Sequence, residues 1–212
     1  MISAAVTRNA LVLGGFAAVA ALALGWVHEI TGERIACNRQ AALEQRLEQV
    51  LPPAVSAAAL RDVAVLKDSP LGPGEHRVFR MADEDEHLLM EVTAPEGYGG
   101  PIELLVAVNL AGEISGVRVI PPHRETPGLG DRIELRRSDW IRSFEGRSLE
   151  NTETQQWAVA PDGGDFDAFT GATITPRAVT AAVHRALRFH DQHREQLLTL
   201  PGESAFREDC HE

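Results

Sequence analysis

An uninterrupted apolar run near the N-terminus is the feature that most constrains this chain. From Ala10 to Val27 the sequence holds no charged or strongly polar residue and is rich in alanine and leucine. At 1.5 Å of rise per residue, a helix of about 18 residues just reaches across the hydrocarbon core of a bilayer. The run therefore predicts one transmembrane anchor over residues 10–27, preceded by a short cytoplasmic segment at residues 1–9.

The residues that flank the run predict its orientation. Arg8 and the N-terminal amine precede it, and Trp26 lies at its far end, where interfacial aromatic residues are common. We therefore expect the amine inside and everything after His28 outside. The alternative is a cleaved signal peptide with Ala21-Leu22-Ala23 as the cleavage site, although the apolar run continues to Val27. Both interpretations export the remaining domain.

Composition narrows the classes of function. The 212 residues are 44% hydrophobic and 24% charged, which is typical of a globular protein. A net charge of -11 argues against nucleic acid as a partner, because the chain offers no basic surface to neutralise phosphates. Two cysteines cannot ligate an iron–sulfur cluster, and whether Cys37 and Cys210 form a disulfide stays open. His190 and His193 lack a third ligand at a recognisable spacing, so no metal site is expected.

Hydrophobic periodicity predicts helices at both ends of the exported part and strands between them. One helix is predicted over residues 33–51, ended by Pro52-Pro53, and another over residues 176–196. Residues 69–74 are a loop by composition. Aliphatic segments bounded by Gly or Pro predict strands at residues 87–93, 102–109 and 113–120, the last two forming an antiparallel hairpin. These elements predict an α+β domain with an antiparallel sheet and flanking helices.

The segment from Asp167 to Thr173 places a hydroxyl group just before the predicted last helix. Thr175 suits the N-cap of that helix and Pro176 suits its first position. Gly171 adds no side-chain bulk, so a ligand could approach the backbone closely. The N-terminus of a helix also favours a phosphate through its unpaired N–H groups and the macrodipole. On local physics alone, an ordinary capped loop is the alternative.

The same segment resembles the flavinylation motif Asp-x-x-(Ser/Thr)-Gly-Ala-Thr of periplasmic flavoprotein subunits. The fixed positions of the motif are met by Asp167, Thr170, Gly171, Ala172 and Thr173. In that family, a dedicated flavin transferase attaches FMN to the last threonine through a phosphoester bond. The resemblance therefore implies covalent FMN on Thr173, with Asp167 as part of the sequence that the transferase recognises. Thr175, which also lies at the helix start, is the alternative attachment site.

Two glycine-rich loops, at residues 97–102 and 123–130, extend the resemblance. They are similar to loops of the FMN-binding domain shared by the G subunit of Rnf electron-transport complexes and the C subunit of sodium-translocating NADH:quinone oxidoreductases. The resemblance implies that Leu129 shields one face of the flavin ring and that Thr126 hydrogen-bonds to its edge. The residues implied at this pocket are Glu125, Thr126, Leu129, Gly130, Tyr98 and Gly99.

The start of the exported part favours the Rnf G subunit, because residues 31–36 and the helix after them are similar to its opening. The resemblance implies an electron relay in an ion-translocating ferredoxin:NAD oxidoreductase complex, with no catalytic residue and no metal site of its own. Its partners would be the other subunits, a flavin transferase and the bacterial inner membrane, with the main domain in the periplasm. The alternatives are the C subunit of the sodium-translocating enzyme and a membrane-anchored binding or assembly module without redox activity.

The expected domain organisation follows from these points. After the cytoplasmic segment and the anchor, residues 28–68 form a connecting helix and the entry to the domain. Residues 69–200 form the FMN-binding domain, and residues 201–212 form a C-terminal tail.

Overall fold

The computed structural model describes residues 2–51, 60–67, 69–81 and 86–202. The chain divides into two compact units, of which one spans residues 44–206 and the other holds residues 1–43 with residues 207–212. The predicted Pro52-Pro53 helix stop, Cys210 and most of the predicted C-terminal tail lie outside the described residues.

Helix α1 runs from Ile2 to Val50 and contains the expected apolar helix. Its segment Val6–Val27 is long and apolar enough to cross a membrane, and its side chains are exposed. The helix predicted at residues 33–51 is the continuation of α1 and not a separate element. Within this continuation, Cys37 is disulfide-bonded.

The described strands form one five-stranded antiparallel sheet in the order β1-β2-β3-β4-β5. The strands are β1 (Leu60–Lys67), β2 (Glu75–Met81), β3 (Leu88–Ala94), β4 (Ile102–Val108) and β5 (Ile114–Ile120). The predicted hairpin is confirmed, because β4 pairs antiparallel with β5 from Glu103 opposite Ile120 to Val108 opposite Ile114. In the turn, the Glu113 N–H donates to Asn109 Oδ1 at 2.9 Å. The α+β class with an antiparallel sheet is confirmed.

Strands β1 and β2 were not predicted, although they complete the sheet on the far side of β3. The reason is their mixed composition. Strand β2 carries His76 and Arg80 at buried positions, and β1 has a bulge between Leu60 and Asp62. Both features interrupt the alternation of apolar and polar residues that marks a strand. The sheet therefore begins before residue 69, the predicted start of the domain.

Helix α2 (Ile174–Thr199) packs on the sheet against β3 and β4. The predicted apolar stripe is confirmed, because its members are buried at three- and four-residue spacings: Val179, Val183, Ala186, Leu187 and His190. A stripe of this period places one face of the helix on the sheet and leaves the other face to solvent. The helix begins two residues before the predicted start at Pro176.

A ladder of aromatic rings packs the irregular segment between β5 and α2. This segment has short 3-10 helices at Gly130–Ile133, Asp139–Phe144, Thr154–Gln156 and Ala160–Asp162. Trp140 contacts both Phe144 and Phe169, with ring centroids 5.4 and 5.2 Å apart. Phe144 stacks on Phe166 at 4.6 Å, and Phe166 lies 5.4 Å from Trp157. Large apolar side chains therefore hold a segment that has little regular backbone pairing.

Arg80 of β2 caps the C-terminus of α2. The residue is 6% exposed, forms an ion pair with Asp62 of β1, and donates through Nη1 to three carbonyl groups at the helix end. These acceptors are the carbonyl oxygens of Leu197, Leu198 and Leu200, at 3.1, 3.1 and 2.6 Å. The last carbonyls of a helix lack intrahelical partners and carry partial negative charge, so a buried cation satisfies them.

Replacing Arg80 should therefore destabilise the domain. We expect Arg80→Leu to lower the free energy of unfolding by about 3 kcal/mol, since it removes the buried partner of Asp62 and leaves the helix carbonyls without their cation. Thermal unfolding of the detergent-solubilised chain, followed by tryptophan fluorescence, measures the change. Arg61→Leu is the matched control, because Arg61 is exposed and lies 3.9 Å from the same Asp62 carboxylate. Equal losses in the two variants would contradict the capping role.

Candidate functional site

A cleft of about 230 Å³ opens at the N-terminus of α2. Three segments surround it: the loop between β3 and β4, the loop after β5, and the residues that lead into α2. The lining residues are Tyr98, Thr126, Leu129, Gly130, Gly171, Ala172, Thr173, Ile174 and Thr175. The fold thus brings seven predicted site positions, 98, 126, 129, 130, 171, 172 and 173, to one place.

Glu125 lies beside the lining and ties the three segments together. The residue is 5% exposed. Oε1 accepts a hydrogen bond from the Gly99 N–H at 2.9 Å, and Oε2 accepts one from the Thr175 hydroxyl. Glu125 and Gly99 are therefore at the edge of the cleft rather than in its lining, and both help to hold it.

Thr173 is the N-cap residue of α2 and is half-buried at the cleft. Its carbonyl accepts the Arg177 N–H at 3.2 Å, which starts the helix. Among the described residues, its side chain makes no capping hydrogen bond. Within the described part of the chain, the Thr173 hydroxyl thus takes no part in capping, although it lies at the positive end of a 26-residue helix.

Thr175 is not the N-cap, which corrects the prediction from local sequence. It lies in the first turn of α2, is 1% exposed, and donates its hydroxyl hydrogen to Glu125. Pro176 follows in the same turn, where a missing N–H leaves no helical bond unmade. The local sequence suggested a cap because threonine before proline is common at helix starts, whereas the carboxylate that binds Thr175 lies 50 residues earlier.

Asp167 and Thr170 lie outside the cleft lining. Both residues are exposed, and the Asp167 carbonyl accepts a hydrogen bond from Trp140 Nε1 at 2.8 Å. The Asp167 side chain is thus on an accessible loop whose backbone is held in place. Its role in recognition by a transferase stays a prediction.

Two glycines shape the cleft. A Cβ at Gly130 would come within 2.9 Å of Glu125 Oε2 and 3.0 Å of Thr175 Oγ1, so a side chain there would disturb the bond between them. Gly171 has a φ of +83°, which glycine adopts at little cost. Both positions therefore need glycine for a geometric reason.

The rim of the cleft is apolar and unusually exposed. Tyr98, Leu129 and Ile174 are 68%, 40% and 46% exposed. Apolar side chains that surround a concave site are typical of a small-molecule or cofactor pocket. The rim suits a planar apolar ring system, and the free N–H groups at the start of α2 suit a phosphate. The residues present therefore fit FMN, which has both a phosphate and a planar apolar ring system.

Local sequence reasoning missed the ionic contacts that support the loop after β5. The Glu125 N–H donates to His123 Nδ1 at 3.3 Å, and His123 Nε2 lies 2.5 Å from Glu134 Oε1. Arg136, and after it His123, hold the pKa of Glu134 below its usual value. Asp131 accepts the Gly128 N–H at 2.7 Å and pairs with Arg137 at 3.2 Å.

Metal-ligating side chains do not cluster in the part of the chain that the structure describes. No group of three or more His, Cys, Asp or Glu residues there could hold a metal ion.

Comparison with known proteins identifies the same region. A family model described as FMN-binding domain matches residues 97–188, and one described as RnfG N-terminal region matches residues 1–50. The G subunit of the ion-translocating oxidoreductase complex of Pseudomonas aeruginosa is 45% identical over 206 residues, which is 95% of each chain. The protein of the same description from Escherichia coli O157:H7 is 44% identical over 202 residues, covering 93% of this chain and 97% of its own. The one from Shewanella loihica is 40% identical, covering 93% and 95%.

These matches decide between the two related flavoproteins. The N-terminal match covers residues 1–50 and carries the RnfG name, and the relatives that align over nearly the whole chain are named as the same component. The FMN-binding match includes every segment that surrounds the cleft. The chain therefore belongs to the family of G subunits of ion-translocating oxidoreductase complexes and contains the FMN-binding domain of that family.

Proposed function

We propose that this chain is the electron-relay subunit of a membrane-bound, ion-translocating ferredoxin:NAD oxidoreductase complex of the Rnf type, carrying FMN phosphoester-linked to Thr173. The observation that carries the proposal is the Thr173 hydroxyl. It borders the cleft, makes no capping hydrogen bond among the described residues, and lies at the N-terminus of α2.

The start of α2 supports attachment of a phosphate at this residue. The first N–H groups of the helix have no helical acceptor, and the aligned peptide dipoles favour negative charge there. Thr175 is a poorer acceptor, since it is buried and its hydroxyl is already bonded to Glu125. Thr173 need not be activated within this chain, because a separate flavin transferase would supply the activation. The transferase would recognise the exposed Asp167.

The remaining cleft residues would bind and orient the cofactor. Leu129, Tyr98 and Ile174 offer apolar surface from which a bound ring would displace water, and Thr126 offers a hydroxyl to the ring edge. FMN supplies the electron-transfer chemistry, and the chain supplies attachment, orientation and electrostatics. Covalent attachment keeps the cofactor in a compartment where free FMN is dilute.

The apolar segment of α1 supports the proposed location. We infer that Val6–Val27 anchors the chain in the bacterial inner membrane in a single pass, with the N-terminal amine on the cytoplasmic side and the domain in the periplasm. The other subunits of the complex are then its electron donors and acceptors. The competing function is a membrane-anchored assembly module that binds no redox cofactor, and the first experiment below separates the two.

Replacing Thr173 should abolish the covalent flavin. The full chain is produced together with a flavin transferase, and intact mass and peptide mapping locate any added mass. We expect the mass of FMN less one water on Thr173 in the wild type and no addition in Thr173→Ala. Thr154→Ala is the matched control, because Thr154 is exposed outside the cleft. A wild-type chain that stays unmodified beside an active transferase would support the assembly module.

Replacing Thr126 should change the flavin potential without releasing FMN. Thr126 lines the cleft, and a hydrogen bond to the ring tunes its electronic properties. We expect Thr126→Ala to keep the covalent mass and to shift the midpoint potential in an anaerobic redox titration, with Thr154→Ala unchanged. An unaltered potential would show that Thr126 does not contact the ring.

Reporter fusions should place the domain outside the cytoplasm. An alkaline phosphatase fused after Gly202 is active only when it is exported, so we expect activity there. A green fluorescent protein fused at the same position should be dark if it is exported through the Sec pathway. An inactive phosphatase fusion together with a bright fluorescent fusion would contradict the proposed topology.

A further inference from the structure

Glu125, in the loop after β5, is an acidic residue without an ion-pair partner in the part of the chain that the structure describes. Three acidic side chains lie between the end of β5 and Arg137, namely Glu125, Asp131 and Glu134. Asp131 pairs with Arg137, and Glu134 pairs with Arg136. Among the described residues, no lysine, arginine or histidine forms an ion pair with Glu125. Its two oxygens instead accept hydrogen bonds from the Gly99 N–H and the Thr175 hydroxyl.

This carboxylate lies next to two residues that line the cleft. Gly130 and Thr175 are both lining residues, and a Cβ at Gly130 would come within 2.9 Å of Glu125 Oε2. The residue is 5% exposed, so water screens its charge poorly. Both oxygens act as acceptors, as they do in an ionised carboxylate. Glu125 is therefore a buried carboxylate beside the cleft that neutral donors hold and that, among the described residues, has no ion-pair partner.

We propose that Glu125 sets the reduction potential of the flavin by keeping an uncompensated negative charge beside it. The inference rests on the proposed function, since it needs FMN in the cleft. Reduction adds negative charge to a flavin, and a nearby fixed negative charge opposes it. Glu125 thus lowers the midpoint potential and makes the bound flavin a stronger reductant. Thr175 and Gly99 are positioning residues that act through Glu125.

A purely structural role makes a different prediction. Glutamine has nearly the shape of glutamate, and its amide oxygen could accept the Gly99 N–H while its NH₂ group donates to the Thr175 oxygen. If Glu125 only tied the three segments together, Glu125→Gln would leave the flavin potential unchanged and Glu125→Asp, with its shorter side chain, would alter it. If Glu125 acts by its charge, Glu125→Gln should alter the potential more than Glu125→Asp does.

The test is an anaerobic redox titration of the full chain in detergent, after production with a flavin transferase and confirmation of covalent FMN by intact mass. We expect Glu125→Gln to raise the midpoint potential, with the one-electron reduction equilibrium changed about tenfold, or about 59 mV. Glu125→Asp should stay closer to the wild-type potential. Glu134→Gln is the matched control, because it removes a carboxylate from the same loop whose charge Arg136 already offsets. We expect a smaller shift there.

An unchanged or lowered potential in Glu125→Gln, or an equal rise in Glu134→Gln, would overturn the inference. If Glu125→Gln does not accept FMN, the midpoint potential of Thr175→Val tests the inference instead. That variant keeps the carboxylate and removes one donor that moderates its charge, so the potential should fall, and Thr175→Ser should restore it. A potential that stays or rises in Thr175→Val would also overturn the inference. Absence of FMN from the wild type would instead refute the proposed function.

Discussion

The hydrogen bonds accepted by Glu125 hold the cleft in its shape. One oxygen binds the backbone of the loop between β3 and β4, and the other binds the first turn of α2, while Glu125 itself belongs to the loop after β5. These three segments come from different parts of the chain, and the carboxylate joins them at one point. A buried carboxylate with two donors is costly to disrupt, because the loss of either donor leaves part of its charge unsatisfied.

Helix α2 connects the cleft to the rest of the domain, since it is held at both ends. At its start, Thr175 bonds to Glu125, and at its end the carbonyl groups are capped by Arg80 of β2. Between them, an apolar stripe packs on β3 and β4. A rigid helix of this kind keeps Thr173 at a constant position relative to the loops that surround it. The proposed attachment of FMN at Thr173 needs such constancy, because electron transfer depends on a fixed orientation.

The elements that could be predicted are those with a regular pattern of apolar residues. Strands β3, β4 and β5 have aliphatic runs bounded by turn residues, and α2 has an apolar stripe at helical spacing, so each was found from local sequence. Strand β2 was missed because Arg80 is buried there among apolar positions, and β1 was missed because a bulge between Leu60 and Asp62 interrupts its alternation. Its acceptors lie 117 to 120 residues later, and no local pattern reveals that a buried arginine will be satisfied by a distant helix end.

The sequence by itself determined the apolar helix near the N-terminus, the antiparallel hairpin, and the order of the three segments that resemble an FMN-binding domain, because each depends on residues that are close together in the chain. Only the tertiary structure decided what the hydroxyl groups at the start of α2 do. When the sequence is read locally, Thr175 is the expected cap, and Thr173 and Thr175 are both plausible attachment sites for FMN. The difference comes from Glu125, 50 residues before Thr175, whose carboxylate binds one hydroxyl and leaves the other at the cleft.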